Sequence, residues 1–274
     1  MTVTIVKPIK KLTVKKFNIR NLFFVFLLAF GSFISSDSLK KAITSEYRDP
    51  NNILRDEYRN PYETLTFFGI EPSMKVVELS PGGGWYTEIL ANYLNDSGEL
   101  IAAHFDENSN NNYLKKSRKK FEKKMNSISV YENVKIVNLT SKLSTPQSVD
   151  AVLTFRNLHN WLGPTMDSIF ANSFKVLKPG GIFGVVEHRA EEGTSIEKMK
   201  KSGYVTEEHA IEIAKKHGFV LVSKSEINSN PKDSKNYEKG VWTLPPSFRL
   251  KEKNKAKYLA IGESDRMTLL FKKP

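Results

Sequence analysis

The sequence predicts an α/β fold: a seven-strand, mainly parallel sheet with helices on both faces and an antiparallel last strand. Three observations lead there. Short apolar runs alternate with amphipathic helix patterns along most of the chain, as crossover helices between parallel strands require. A glycine cluster, Gly82 to Gly84, separates the first apolar run from the first strong helix pattern. The last two strand-like runs have no helix pattern between them, which predicts an antiparallel pair. At 274 residues and 39% hydrophobic, the chain can build a substantial core. Residues 1–36 read as a separate segment and 37–274 as one domain.

The first 36 residues hold six cations (Lys7, Lys10, Lys11, Lys15, Lys16, Arg20) and no acid, followed by an apolar core from Leu22 to Ile34. That core is short of the roughly 20 residues a spanning helix needs. A basic start, a short apolar run and a small-residue tail describe a secretory signal, with cleavage between Gly31 and Asp37. An uncleaved anchor and a buried helix are the alternatives. The chain is then expected to be exported, to the periplasm or to the inner membrane on an uncleaved leader.

After the leader, Pro50 and Pro61 break the chain into short helices, and "PYETLTFFG" has Pro61 in its first turn and Gly69 as its stop. "KVVELS" is the first strand. "GWYTEILANYL" is a helix with Ile89, Leu90, Tyr93 and Leu94 on one face. "ELIAAHF" is the second strand, "VKIVNL" the third and "VDAVLTF" the fourth. "GPTMDSIFANSFKVLKPGG" reads as a helix ending at its Pro-Gly-Gly turn, and "IFGVVEH" as the fifth strand. "TEEHAIEIAKKHGF" has Thr206 as its cap and Gly218 as its stop. "VLVSKSEI" and "RMTLLFKK" are the last strands, joined by a long polar insert over 228–265.

The net charge of +12 is local. The leader contributes six cations, and the run Lys115 to Lys124 a further net +6, so the remainder is about neutral. No specific nucleic-acid partner is expected, because the run carries one aromatic residue, Phe121. It reads as the solvated face of a helix. Contact of the leader or of this run with an anionic membrane surface is the sharper alternative. The chain has no cysteine, which excludes disulfides, thiolate metal sites and a cysteine nucleophile.

In such a sheet, ligands bind outside the carboxyl ends of the strands, where strand order reverses. The glycine turn lies there. Gly82 and Gly84 supply two positions of a dinucleotide fingerprint, but the third is Thr87, and no Gly-Lys-Ser/Thr follows for a phosphate loop. Glu78, just before the turn, repels phosphates and suits an ammonium group. A bare tight turn is the alternative. Of five histidines, His104, His159 and His188 fall at strand ends, while His209 and His217 sit on a helix surface. Arg156, Asn157, His159, Asn160 and Trp161 share one strand mouth; Glu187, His188 and Arg189 share another. These groups can orient a substrate or remove a proton. A metal held with Glu187 or Asp106 lacks a supporting spacing, and no metal is expected. No Gly-x-Ser-x-Gly elbow exists for a serine hydrolase.

The acid and glycine turn, the seven-strand pattern and "LKPGG" before the fifth strand resemble the class I S-adenosylmethionine-dependent methyltransferases, which have a Rossmann-like fold. "RDEYRNPYETLTFFGIEPSMKVVELSPGGGWYTEILANYL", "FRNLHNW", "VVEHR" and "GYVTEEHAIEIAKKHGF" are similar to a bacterial group of predicted methyltransferases, often exported. The likeness runs from about Asp49 to the C-terminus. It implies S-adenosyl-L-methionine as cofactor and a small-molecule acceptor. Carried over by position, Glu78 begins the cofactor motif, Ser80 stands where the first glycine is usual, and Gly82, Gly83 and Gly84 follow. Trp85 and Tyr86 would pack beside the sulfonium or adenine, or simply fill the core. The ribose would be held by His104 or by Asp106. Asn157 and His159 match the region facing the methyl group, with His159 or Glu187 accepting a proton and His188 beside them. Two other readings stand: a non-catalytic small-molecule-binding envelope protein on the same fold, and a metal-assisted hydrolase on the histidine rim. The sequence carries no reading of oligomeric state.

Overall fold

Seven runs form one sheet: β1 (Lys75–Leu79), β2 (Glu99–His104), β3 (Lys135–Asn138), β4 (Val149–Phe155), β5 (Leu177–His188), β6 (Val220–Ser225) and β7 (Arg266–Lys272). The computed structural model describes residues 37–274; the leader expected over 1–36 lies outside the described residues. The strand order is β3-β2-β1-β4-β5-β7-β6. β1 to β5 pair in parallel, and β7 runs antiparallel to both its neighbours, β5 and β6. The order reverses between β1 and β4, so the crevice of the sheet opens at their carboxyl ends. Residues 38–274 form one compact unit. Among the described residues, no helix is long and apolar enough to cross a membrane.

Side chains alternate across each strand, and the core therefore splits into two layers. Val77, Leu79, Val152, Phe183 and Phe271 face one way, against Ile169 and Phe170 of α8 (Pro164–Val176) and Ala210 and Ala214 of α10 (Glu207–Lys216). Val76, Leu100, Ala102 and Leu153 face the other, against Ile89 and Leu90 of α5 (Trp85–Leu94) and Phe121 of α6 (Asn112–Met125). On that second side the short helices α1 (37–43), α2 (Pro50–Ile53), α3 (Asp56–Arg59) and α4 (Pro61–Phe67) complete the layer. The caps follow the sequence: Pro61 opens α4, and the Thr206 hydroxyl accepts from the His209 N–H to open α10.

Three local expectations change. The helix written through "LKPGG" ends at Val176, and β5 begins at Leu177. Pro179 disfavours helical backbone at Lys178, and Gly180 takes φ +81, its N–H donating to Lys273. The Pro-Gly-Gly turn is thus a bulge within the strand: Val149 pairs with Leu177, but Ala151 already pairs with Ile182. Secondly, α6 is more than a solvated face. It buries Arg118, Phe121 and Met125 along one stripe, while Lys116, Lys119, Lys120 and Lys123 stay exposed. Finally, the segment between β5 and β7 carries α9 (Ile196–Ser202), a 3-10 turn (Gly240–Thr243) and α11 (Lys255–Ile261), none of which the apolar periodicity announced.

Candidate active site

The turn between β1 and α5 is wound by residues of positive φ: Ser80 at +50, Gly82 at +60 and Gly84 at +85. Two neighbours fix it. Nδ1 of buried His104 accepts the Phe105 N–H at 2.7 Å, so the ring proton sits on Nε2 and is donated to the Gly82 carbonyl at 3.1 Å. Burial also holds the His104 pKa below the usual histidine value, which keeps that tautomer neutral. From α6, Lys124 Nζ donates to the Gly83 carbonyl at 3.0 Å. A side chain added at Gly82 or Gly83 would meet nothing within 4 Å, so the turn faces open space. At Gly84 it would approach Phe121 at 3.2 Å; this glycine serves packing.

Behind the turn lies Glu78, buried, with the Thr87 hydroxyl donating to its carboxylate at 2.6 Å. Burial raises its pKa to about 7, against the smaller downward pull of the Thr87 hydrogen bond, Arg156 and Lys124. The Ser80 hydroxyl is buried with no hydrogen-bond partner. A native buried polar atom left alone marks a place for a ligand or an ion.

Trp85 and Tyr86 turn away from this space. The Trp85 indole donates to the Asn52 carbonyl at 2.8 Å, and the Arg48 and Arg59 guanidinium groups sit against its ring at 5.3 and 4.7 Å. Tyr86 stacks on Phe155 at 3.5 Å and donates its hydroxyl proton to the Arg59 carbonyl. Glu88, buried one turn on, pairs with Lys124 and accepts from Asn52. These residues clasp α2 and α3 onto the start of α5; the geometry gives Trp85 and Tyr86 a fastening role in place of the cofactor-lining one.

The second mouth follows β4 and β5. The Asn157 amide donates to the carbonyls of Leu79, Ser80 and Phe155 at 3.1 to 3.2 Å, tying β4 to the glycine turn. Glu187, fully buried, accepts the Leu158 and His188 N–H groups, and its Oε1 lies 2.9 Å from His159 Nδ1. Backbone N–H groups can only donate, so the carboxylate accepts from them and from His159 Nδ1–H, leaving His159 Nε2 with no partner among the described residues. His188 is arranged oppositely. Ser264 Oγ accepts from Arg266 Nε, and His188 Nδ1 is the acceptor within reach of its own proton among the described residues; with the hydroxyl donating there, the ring proton stands on Nε2, which has no partner among them. Burial, then the neighbouring His159, Arg266, Arg156 and Arg59, hold His188 far below the usual histidine pKa. The two rings lie 5.3 Å apart, and Trp242 from the 3-10 turn meets His159 edge-on at 5.9 Å.

Around these groups stands a set of arginines. Glu263 pairs with Arg55, Arg59 and Arg266. Burial pushes its carboxyl up, but Arg266, Arg59, Arg156 and Arg55 together outweigh this and hold it at about 2. The ligand atoms of His159, Glu187 and His188 lie within 4.8 Å of one another, close enough for a metal ion. The charge argues against one: Arg59, Arg156 and Arg266 all act on His188, and both Glu187 oxygens are already engaged.

The structure thus brings Glu78, Ser80, Gly82, Gly83, Asn157, His159, Glu187 and His188 to one end of the sheet. His104 is there too, but both its ring nitrogens serve the protein. Asp106 is exposed on the loop after β2, where its Oδ1 accepts from Asn108 and Asn138. Sequence reasoning missed Thr87, Lys124, Ser264, Trp242 and Glu263. Only Trp242 left a signal, in the apolar "GVWTL" inside the polar insert.

Residues 77–185 match a family described as a methyltransferase domain. No curated protein matches the chain. The fold is similar to a SAM-dependent methyltransferase from Aquifex aeolicus, at 16% identity and TM-score 0.55, over 86% of this chain and 97% of that one. It is similar to a SAM-dependent methyltransferase from Methanosarcina mazei, at 12% identity and TM-score 0.50, over 76% and 96%. It is also similar to the [4+2]-cyclase SpnF, at 15% identity and TM-score 0.57, over 84% and 86%. At such identities the likeness shows the fold.

Proposed function

We propose that the chain transfers a methyl group from S-adenosyl-L-methionine to a small-molecule acceptor; the match of residues 77–185 to a methyltransferase domain and the likeness in fold to SAM-dependent methyltransferases support this reading. The observation that carries the reading is the open glycine turn with a partnerless Ser80 hydroxyl, backed by the buried Glu78 carboxyl. A fold alone does not name a reaction, and a cyclase on the same fold makes the point, so the argument rests on these residues.

The residues fit the cofactor. Glu78 would pair with its ammonium group, Ser80 Oγ and the backbone of Gly82 and Gly83 would meet its tail, and Asp106 would hold the ribose, since both ring nitrogens of His104 are spent on the protein. The cofactor supplies an electrophilic methyl group on a sulfonium. The chain supplies alignment, which dominates the catalysis of such a transfer. Nε2 of His159 takes the proton of an acceptor that carries one, while Glu187 fixes the tautomer through Nδ1 and stabilises the imidazolium that forms. The His188 Nε2–H donates to the acceptor. Asn157 positions the turn and touches no reactant. The basic, apolar leader supports an exported location.

The test is calorimetric titration of the full chain with S-adenosylmethionine, S-adenosylhomocysteine, NAD and Zn²⁺. Both adenosyl compounds should bind; silence from both at millimolar levels sinks the reading. Gly83→Val is the control: the added side chain meets no protein atom and has no positive φ to resist, so melting should be unchanged while the response disappears.

A further inference from the structure

Arg156 carries costs that the folded chain does not recover. It sits directly after β4, its N–H donating to the Val186 carbonyl, with a backbone φ of +62, a conformation that a residue with a branched or long side chain resists. Its guanidinium has no hydrogen-bond or ion-pair partner among the described residues, although every other arginine at this end of the sheet is engaged: Arg55, Arg59 and Arg266 share Glu263. The next residue, Asn157, donates to the Leu79 and Ser80 carbonyls, and Val186, which accepts the Arg156 N–H, lies two residues before His188, so Arg156 stands at the mouth between the glycine turn and the end of β5; its charge acts on Glu78, Tyr86, His188 and Glu263. Burial, then Arg266, lowers its pKa to about 10, so it remains a cation at neutral pH.

The charge at this end of the sheet says what Arg156 waits for. Arg55, Arg59 and Arg266 already share the one carboxylate of Glu263, and Glu78, the acid on which Arg156 acts beside the turn, is only partly ionised near neutrality. S-adenosylmethionine does not redress the balance. Its carboxylate offsets its ammonium group and the sulfonium remains, so the bound cofactor adds one positive charge. Arg156 is half-buried, with its guanidinium unpaired and within reach of a ligand, and a planar guanidinium takes a carboxylate or phosphate through two parallel hydrogen bonds.

We propose that the methyl acceptor is an oxyanion-bearing small molecule, a carboxylate or phosphate ester, whose anionic group is gripped by Arg156 beside the His188 Nε2–H donor. This rests on the methyltransferase reading above and adds the acceptor's class to it. The anion then fixes the acceptor at the rim of β4 and β5, with its nucleophilic atom toward His159 Nε2.

The test uses the full chain as wild type, Arg156→Gln, Arg156→Lys and Arg156→Gly. Each is titrated with S-adenosylhomocysteine, and the saturated complex is then titrated with benzoate and phenyl phosphate against neutral benzamide. The wild-type complex should bind at least one anion tenfold or more tightly than benzamide. Arg156→Gln should lose that preference, Arg156→Lys should keep part of it, and S-adenosylhomocysteine affinity should change less than threefold in both. Arg156→Gly guards against misfolding: glycine suits the positive φ, so its melting temperature should equal or exceed the wild type while the anion preference is lost. An Arg156→Gln variant that loses tenfold in S-adenosylhomocysteine affinity overturns the proposal, because the guanidinium then belongs to the cofactor's own carboxylate. Equal binding of anions and benzamide by the wild type overturns it as well. Failure of the wild type to bind S-adenosylhomocysteine is a separate outcome, and strikes the methyltransferase reading itself.

Discussion

Glu78 shows how burial sets chemistry at a single residue. Its carboxyl titrates near 7 in the folded chain and near 4.5 when unfolded, so between those values the native state holds more protons. Stability conferred by the protonated form is therefore fully present below about 4.5 and lost as pH rises through about 7. Melting of Glu78→Gln across pH 4.5 to 8 should lack this component, which the wild type should show. Pairing with a ligand ammonium requires the ionised form. Binding of S-adenosylhomocysteine should then strengthen as pH rises toward 7 and release protons, visible in calorimetry as a dependence on buffer ionisation enthalpy. The substitution should weaken binding by about 2 kcal/mol, the scale of a hydrogen bond to a charged group. His159 belongs to the other half of the site. For His159→Ala, adenosyl-ligand affinity should be retained and turnover should fall by about a hundredfold or more, the usual contribution of a positioned base. Loss of binding in its place would reassign the residue to the cofactor.

At the scale of elements, the site is held by pieces far apart in sequence. Helices α2 and α3 reach α5 through Trp85, Tyr86 and Glu88, and they reach the approach to β7 through Glu263. Glu263 is the acid that three arginines share, so Glu263→Gln leaves buried cations without a counter-charge. Breaking such a pair costs about 3–5 kcal/mol, which for a domain of this size lowers the melting temperature by roughly 10 °C. A Glu263→Gln chain that melts with the wild type would contradict the assignment. The boundaries of the elements were legible where a local signal exists: Pro61 at the start of α4, Thr206 at the cap of α10, the short apolar run of β4. They were not legible at "LKPGG", where a bulge in β5 and a loop read alike, because only the register with β4 distinguishes them. The insert was misread for a related reason. Its helix α11 buries none of its own residues and α9, before α10, buries only Met199, so no apolar stripe marks either.

For the whole molecule, the strand and helix alternation was enough to predict the sheet, its parallel character and the antiparallel β7, since each depends on connection length and hydrophobic period. It was enough to bring Glu78, His159, Glu187 and His188 to one end, because all four lie at or just past the carboxyl ends of parallel strands. It could not tell which histidines were committed to the protein. His104 and His188 look equivalent in sequence; His104 proves to lock the glycine turn through Gly82, and His188 offers a free donor. Nor could it distinguish Arg156 from Arg59, since the sharing of Glu263 is a property of the folded arrangement. The central claim, that the turn at Ser80 to Gly84 backed by Glu78 receives the cofactor, is tested most directly by a crystal structure of the full chain with S-adenosylhomocysteine. The account predicts the ligand over Gly82 and Gly83, its ammonium nitrogen within hydrogen-bond distance of Glu78 and its sulfur turned toward His159. A ligand bound elsewhere, with Glu78 still held by Thr87 alone and Ser80 Oγ still without a partner, would contradict it.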